Sequence, residues 1–200
     1  MTVELTRTQI GEALPRVARG LEQYLWLQDH RDSGNILRDL VYRKRFNGFY
    51  RIRRATGWQD KFYRLLQKKK AQPVTFGQVL RALRRATGRH QASFASKLVA
   101  TIRPEMAVID SVVLKNLGLS LPRDNAPNRL ARIDRLYETL GSSFRAFLRT
   151  ETGRYLVKRF REEYPHARIS KVKMVDLVLW QTRPNNALHR TGARAARPGR

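Results

Sequence analysis

The sequence predicts an all-α fold. Apolar residues recur at spacings of three and four along nearly the whole chain. No stretch alternates apolar and polar residues with a period of two, as a half-buried strand does. Helix-stopping residues, Gly88, Pro104 and Gly118, fall between the periodic segments.

Ile10, Leu14, Val17, Leu21 and Leu25 make the first helical stripe, and Pro15 inside it predicts a kink or a separate first turn. Ser33 is placed to cap a helix carrying Ile36, Leu37, Leu40 and Val41. Trp58, Phe62, Leu65 and Leu66 mark a third helix, which runs out in Lys68, Lys69 and Lys70, where cations suit the C-terminal dipole. In the next helix, Thr75 and Gln78 form a capping box, Phe76, Val79, Leu80 and Leu83 the stripe, and Gly88 the left-handed stop. Phe94, Ala95, Leu98, Val99 and Ile102 give a helix that Pro104 ends, and Val112, Val113 and Leu117 a short one closed by Gly118. Leu130, Ile133, Leu136, Tyr137 and Leu140 mark another, followed by Phe144, Phe147, Leu148, Tyr155, Leu156 and Phe160. Ser170 caps a last helix with Val172, Val175 and Leu179.

Two hundred residues, 42% of them apolar, are enough for one domain with a real core, assigned to residues 1–180. Gln181 to Arg200 holds five Arg, no acid and almost no large apolar side chain, the composition of a disordered basic tail. Cysteine is absent, which excludes disulfides, thiolate zinc sites and iron–sulfur clusters. His30, His90, His166 and His189 show no ligand spacing, so no metal and no cofactor is predicted. No apolar run approaches the roughly 20 residues of a membrane span, and the N-terminus has no signal-peptide core. A monomeric cytoplasmic protein without a membrane partner is the expectation.

Charge points to the partner. Between Tyr42 and Glu105 there are 17 Lys or Arg residues against one acid, Asp60, and this net +16 is most of the chain's +25. A polyanion fits such a segment, because each cation that meets a phosphate releases a condensed counterion. Duplex DNA is the first expectation, with nucleoid association as its corollary; the alternatives are an acidic protein partner or a solvated basic face. From Tyr42 to Lys70 aromatic and basic residues interleave. Phe49, Ile52, Phe62 and Leu65 fall at helical spacing and are assigned to the core, which leaves Tyr50 and Trp58 as candidate rings for stacking on an unpaired base. Arg51, Arg53 and Arg54 are assigned to phosphates.

Asp110 is the candidate for chemistry. It lies where an apolar connector, Ala107-Val108-Ile109, enters a helix. An Asp there either caps the helix or, facing a basic groove, stabilises positive charge developing on a sugar. Asp176 sits in an apolar helix three residues after Lys173, the spacing of a structural ion pair or of a second functional carboxylate.

The order of helix, tight turn, helix, apolar connector, Asp and helix in GRHQASFASKLVATIRPEMAVIDSVVLKNLGL resembles the core of the helix–hairpin–helix DNA glycosylases. With YRKRFNGFYRIRR before it and KVKMVDLVLWQTR after it, the run looks similar to a bacterial group related to 8-oxoguanine glycosylases. The resemblance implies that the hairpin Gly88, Arg89, His90 and Gln91 grips a DNA phosphate, and that Asp110 is the catalytic carboxylate acting on a damaged base. Two departures stand out. The family hairpin has two glycines where this chain has only Gly88, and the family's imine-forming Lys, just after the hairpin, is replaced by His90 and Gln91. A neutral imidazole is no imine-forming amine. The nearest Lys, Lys97, falls about two turns into the helix and is assigned to the surface or a phosphate. The resemblance therefore implies a monofunctional enzyme that uses water, or a binder that has lost its chemistry.

Overall fold

The computed structural model describes residues 3–182, and their regular structure is entirely helical: α1 (Arg7–His30), α2 (Leu40–Tyr50), α3 (Thr56–Lys69), α4 (Phe76–Thr87), α5 (Ala92–Ile102), α6 (Ser111–Asn116), α7 (Arg129–Arg149), α8 (Glu151–Glu163) and α9 (Lys171–Gln181). None of these helices is long and apolar enough to cross a membrane.

The caps explain most boundaries. Thr6 with Gln9 and Thr75 with Gln78 form reciprocal capping boxes at the starts of α1 and α4, each satisfying two otherwise orphaned N–H groups. Gly88 ends α4 at φ 75°, a left-handed conformation that glycine adopts without a Cβ penalty. Ser170 accepts the Lys173 N–H at 3.1 Å to open α9, and its hydroxyl donates to the Pro104 carbonyl at 2.6 Å, pinning α9 to the end of α5.

α9 is the central element: every residue from Lys173 to Leu179 is buried, and it packs on α1, α6, α7 and α8. α1 lays Ile10, Leu14, Val17, Leu21, Tyr24 and Leu27 against it and against α2 and α8. α3 packs on α4, and α4 on α5. An aromatic cluster fills the space around α2, with the buried Phe46 ring within 6 Å of the Tyr42, Tyr50, Phe62 and Tyr63 rings.

Three sequence expectations are corrected. α1 is one continuous helix through Pro15, not a separate turn and a helix. The second helix begins at Leu40, capped by Asp39, whose carboxylate accepts the Tyr42 N–H at 2.8 Å; Ser33 instead donates to the His30 carbonyl. Its buried face is Tyr42, Phe46, Phe49 and Tyr50, so the larger aromatic stripe wins the core and Leu40 and Val41 are left exposed. Gln181 belongs to α9, and Thr182 is buried at its cap, so the first two residues of the expected tail are part of the fold. The rest of that tail lies outside the described residues.

The α7–α8 corner has one steric requirement. Thr150 both ends α7, donating to the Phe147 carbonyl at 2.7 Å, and caps α8, accepting the Gly153 N–H at 3.0 Å. A Cβ at position 153 overlaps the Phe147 carbonyl and the Leu148 backbone. Gly153→Ala is expected to cost roughly 1–3 kcal/mol through this overlap, read as a Tm lower by about 2–4 °C per kcal/mol. A parental Tm would show that the corner opens without cost.

Candidate active site

α5 carries an unusual burden for its length. Of ASFASKLVATI, Lys97 is the only charged residue, and Ala92 and Ala95 to Thr101 are all buried. Lys97 itself is 7% exposed. Its Nζ donates to the Tyr50 carbonyl at 3.1 Å and stands 5.3 Å from the centre of the Phe94 ring. Burial pushes the ammonium below the ordinary lysine range and Arg51 adds to this, while the Asp110 and Asp176 carboxylates pull the other way. This corrects the expectation of a surface Lys97.

The acceptor for Lys97 is presented by a strained turn. Arg51 ends α2 at φ 53°, ψ 45°, a left-handed conformation unusual for a residue with a Cβ. The turn is held by the Ile52 N–H, which donates to the Asn47 carbonyl at 2.9 Å. It leaves the Tyr50 carbonyl for Lys97 and puts the Arg51 guanidinium 5.2 Å from the Trp180 ring centre.

Asp110 is fixed from the other side. Ala107, Val108 and Ile109 are buried, and the Ile109 N–H donates to Ser96 Oγ at 2.8 Å. Ser96, fully buried, donates in turn to the Ser93 carbonyl at 2.9 Å, so the connector is tied to α5 one residue before Lys97. Asp110 then caps α6, its Oδ1 accepting the Val112 N–H at 2.9 Å. The far end of α6 is tied to α9 by Asn116, which donates to the Leu179 carbonyl at 3.2 Å.

These ties enclose a cleft of about 830 Å³, within the roughly 300–1,000 Å³ of small-molecule sites. Lys97 and Asp110 both line it, with Ser93 one helical turn before Lys97. The other walls include Arg51, Ser111, Lys115, Leu119, Leu121 and the half-buried ring of Trp180. Three cations, Arg51, Lys97 and Lys115, thus face one carboxylate.

The remaining sequence candidates have other surroundings. Tyr50 lines the cleft but is 4% exposed, with its ring packed 4.7 Å from both Phe46 and Phe49, which leaves no free stacking face. Trp58 packs 4.5 Å from Phe94, away from the cleft. The aromatic ring that lines the cleft half-buried is Trp180, at the end of an apolar helix and not among the sequence candidates. Arg53 and Arg54 are exposed and do not line the cleft; Arg54 stands 5.4 Å from the Phe94 ring centre.

The hairpin Gly88 to Gln91 joins α4 to α5 and ends two residues before Ser93. Among the described residues, the N–H groups of Arg89, His90 and Gln91 meet no acceptor, and the Arg89 side chain is exposed. Gln91 is buried, and His90 holds Nε2 buried without a partner. Burial, then Arg84 and Arg129, lowers the His90 pKa, so its ring stays neutral below the usual histidine range.

No protein-family model, curated protein or solved structure matches this chain, and the cleft's chemistry rests on its own residues. Ser96→Ala leaves the buried Ile109 N–H without an acceptor, at an expected cost of about 1–3 kcal/mol. The measurement is a lower urea midpoint at unchanged m-value; a parental midpoint would mean that another acceptor replaces the hydroxyl.

Proposed function

We propose that this protein is a DNA-binding base-excision glycosylase of the helix–hairpin–helix kind, acting on one damaged, extruded base of the oxidised-purine class. The observation that carries the reading is the convergence of the Lys97 amine and the Asp110 carboxylate on one cleft. Burial that lowers the Lys97 pKa favours the neutral, nucleophilic amine. The ordering of α4, hairpin, α5, buried connector, Asp110 and α6 follows the order of elements in the resemblance.

In this reading the free N–H groups and Arg89 of the hairpin hold a backbone phosphate, and Arg53, Arg54 and other exposed cations of the +16 segment follow the duplex. A base turned out of the stack enters the cleft beside the Trp180 ring. Lys97 Nζ attacks C1′; the C1′–N bond breaks, its electron pair leaves with the base, and a proton released from Nζ ends on the base. Opening of the C1′–O4′ bond, with a solvent proton going to O4′, leaves an iminium on Lys97. Transfer of the C2′ proton to water then breaks the C3′–O bond and expels the 3′ phosphate with that electron pair, and water hydrolyses the conjugated imine to return the amine. Asp110 opposes the positive charge on the sugar. Its capping bond occupies Oδ1, which leaves Oδ2 for this role.

The rival reading is DNA binding without chemistry, favoured by the Asp110 cap and the single-glycine hairpin. Asp110→Asn separates the two, because Asn caps about as well as Asp and the fold is kept. Excision from oxidised-purine duplexes is expected to fall by roughly 100-fold or more while binding persists; unchanged excision would remove Asp110 from the chemistry.

Borohydride is expected to trap a covalent complex with damaged or abasic duplex, and Lys97→Ala to abolish it. Trapping should rise with pH through the lowered Lys97 pKa and level off before the ordinary lysine range is reached. If parental protein excises bases yet traps nothing, water is the nucleophile and Lys97 is not. Affinity for undamaged duplex should fall steeply with salt, the logarithmic slope approaching about −0.9 per phosphate contacted. A flat dependence would exclude DNA as the partner.

A further inference from the structure

α1 and α2 leave a groove of about 650 Å³ between them, which shares no residue with the cleft. α1 lines it with Arg19, Glu22 and Trp26, and α2 with Val41, Arg45 and Gly48. Each set is spaced to share one face of its helix over about two turns. Val41, 58% exposed, and its neighbour Leu40, 71% exposed, give the groove an apolar edge.

The charge on this groove is unanswered. Arg19, Lys44 and Arg45 line it, all exposed, and among the described residues none of them meets a carboxylate. Glu22 is the one acid in its walls. Arg45 is held in place by stacking: its guanidinium carbon stands 4.1 Å from the centre of the Trp26 ring. That ring stacks on His30 at 3.9 Å, and His30 Nδ1 donates to the Trp26 carbonyl at 2.9 Å. A guanidinium seated on a fixed ring loses less freedom when it pairs with a carboxylate.

Gly48 is an independent observation. It is exposed within α2, and a Cβ built on it meets nothing within 4 Å. Glycine weakens a helix relative to alanine, and packing within the chain gives no reason to keep it here. On the wall of a groove, a missing side chain lets another backbone approach closely.

We propose that the α1–α2 groove docks a short acidic segment of a partner protein, one that also carries an apolar side chain. Its carboxylates meet Arg45, Arg19 and Lys44, its apolar side chain covers Val41 and Leu40, and its backbone passes over Gly48. A DNA backbone would answer the cations but leave Val41 and Leu40 uncovered and make no use of the gap at Gly48. An anionic membrane would meet the apolar edge but not enter the groove. The proposal does not depend on the chemistry assigned to Lys97 and Asp110.

The test titrates the isotope-labelled full chain with a synthetic peptide of Asp, Glu and Leu, followed by amide NMR. A control peptide of equal charge carries Ser in place of Leu. The Leu peptide is expected to shift amides of the groove residues, and the control to bind roughly tenfold more weakly or worse, the worth of one buried Leu. Gly48→Leu fills the groove without changing its charge, and Arg45→Ala removes the stacked guanidinium. Each is expected to weaken the Leu peptide by roughly tenfold or more, while Gly48→Leu keeps the parental affinity for duplex DNA. Gly48→Ala should melt no lower than the parent; should Gly48→Leu fail to fold, Arg45→Ala is read in its place. Equal binding of the two peptides, unchanged peptide binding in the variant, or no groove shifts at millimolar peptide overturns the proposal. Duplex affinity that falls with Gly48→Leu assigns the groove to DNA, and loss of cosedimentation with phosphatidylglycerol vesicles in that variant assigns it to a membrane. Either result also overturns the proposal.

Discussion

The cleft depends on one hydrogen bond inside the core, from the Ile109 N–H to Ser96 Oγ. The connector before α6 has no regular secondary structure to satisfy its backbone, and burying it requires acceptors from side chains. Ser96 supplies one and stands next to Lys97 in α5. A single buried hydroxyl therefore fixes the chain direction of α6 and keeps a carboxylate and an amine, 13 positions apart in sequence, on the walls of one cleft. The ties from Ser170 to Pro104 and from Asn116 to Leu179 extend the same principle, joining α9 to α5 and α6 by side-chain to backbone bonds.

Charge placement is the second organising feature. The chain carries 41 Lys or Arg residues. Among the described residues, Lys97 and Lys173 are the Lys or Arg side chains that the core encloses. Enclosing a cation in a chain already rich in cations raises the cost of folding unless carboxylates accompany it. Asp110 and Asp176, two of only 16 acids, are placed where that cost arises.

The helices were legible because their signals are local. The Thr75–Gln78 box, Gly88 and the stripe Phe76, Val79, Leu80 and Leu83 name the limits and face of α4 from its 12 residues and their two caps. The α2 start was misread because Leu40 and Val41 look apolar enough for a core, whereas the winning face is set by partners in α1 and α3. Asp110 was visible as a carboxylate at a helix start, with capping and facing a groove as alternatives; that it does both was not. Lys97 was misplaced by treating a lone cation in a helix as evidence of an exposed face. The missed signal is that α5 has no other charge and no polar residue larger than Ser or Thr, the composition of a helix buried all round. Trp180 was overlooked because the cleft it lines is assembled from α2, α5, α6 and α9, segments far apart in the sequence.

The left-handed turn at Arg51 carries a consequence for how this sequence can change. A residue with a Cβ held there raises the energy of the folded state, and Gly or Asn accommodates the same backbone more easily. The turn is also where the Tyr50 carbonyl meets the buried amine and where the guanidinium lies by the Trp180 ring. Relief of backbone strain and retention of the cation therefore pull in opposite directions at one codon. A search for more stable variants scored on melting alone would find this position early and empty the cleft of one of its three cations. The same tension makes Arg51 a site where selection for stability and selection for the cleft's charge can be told apart.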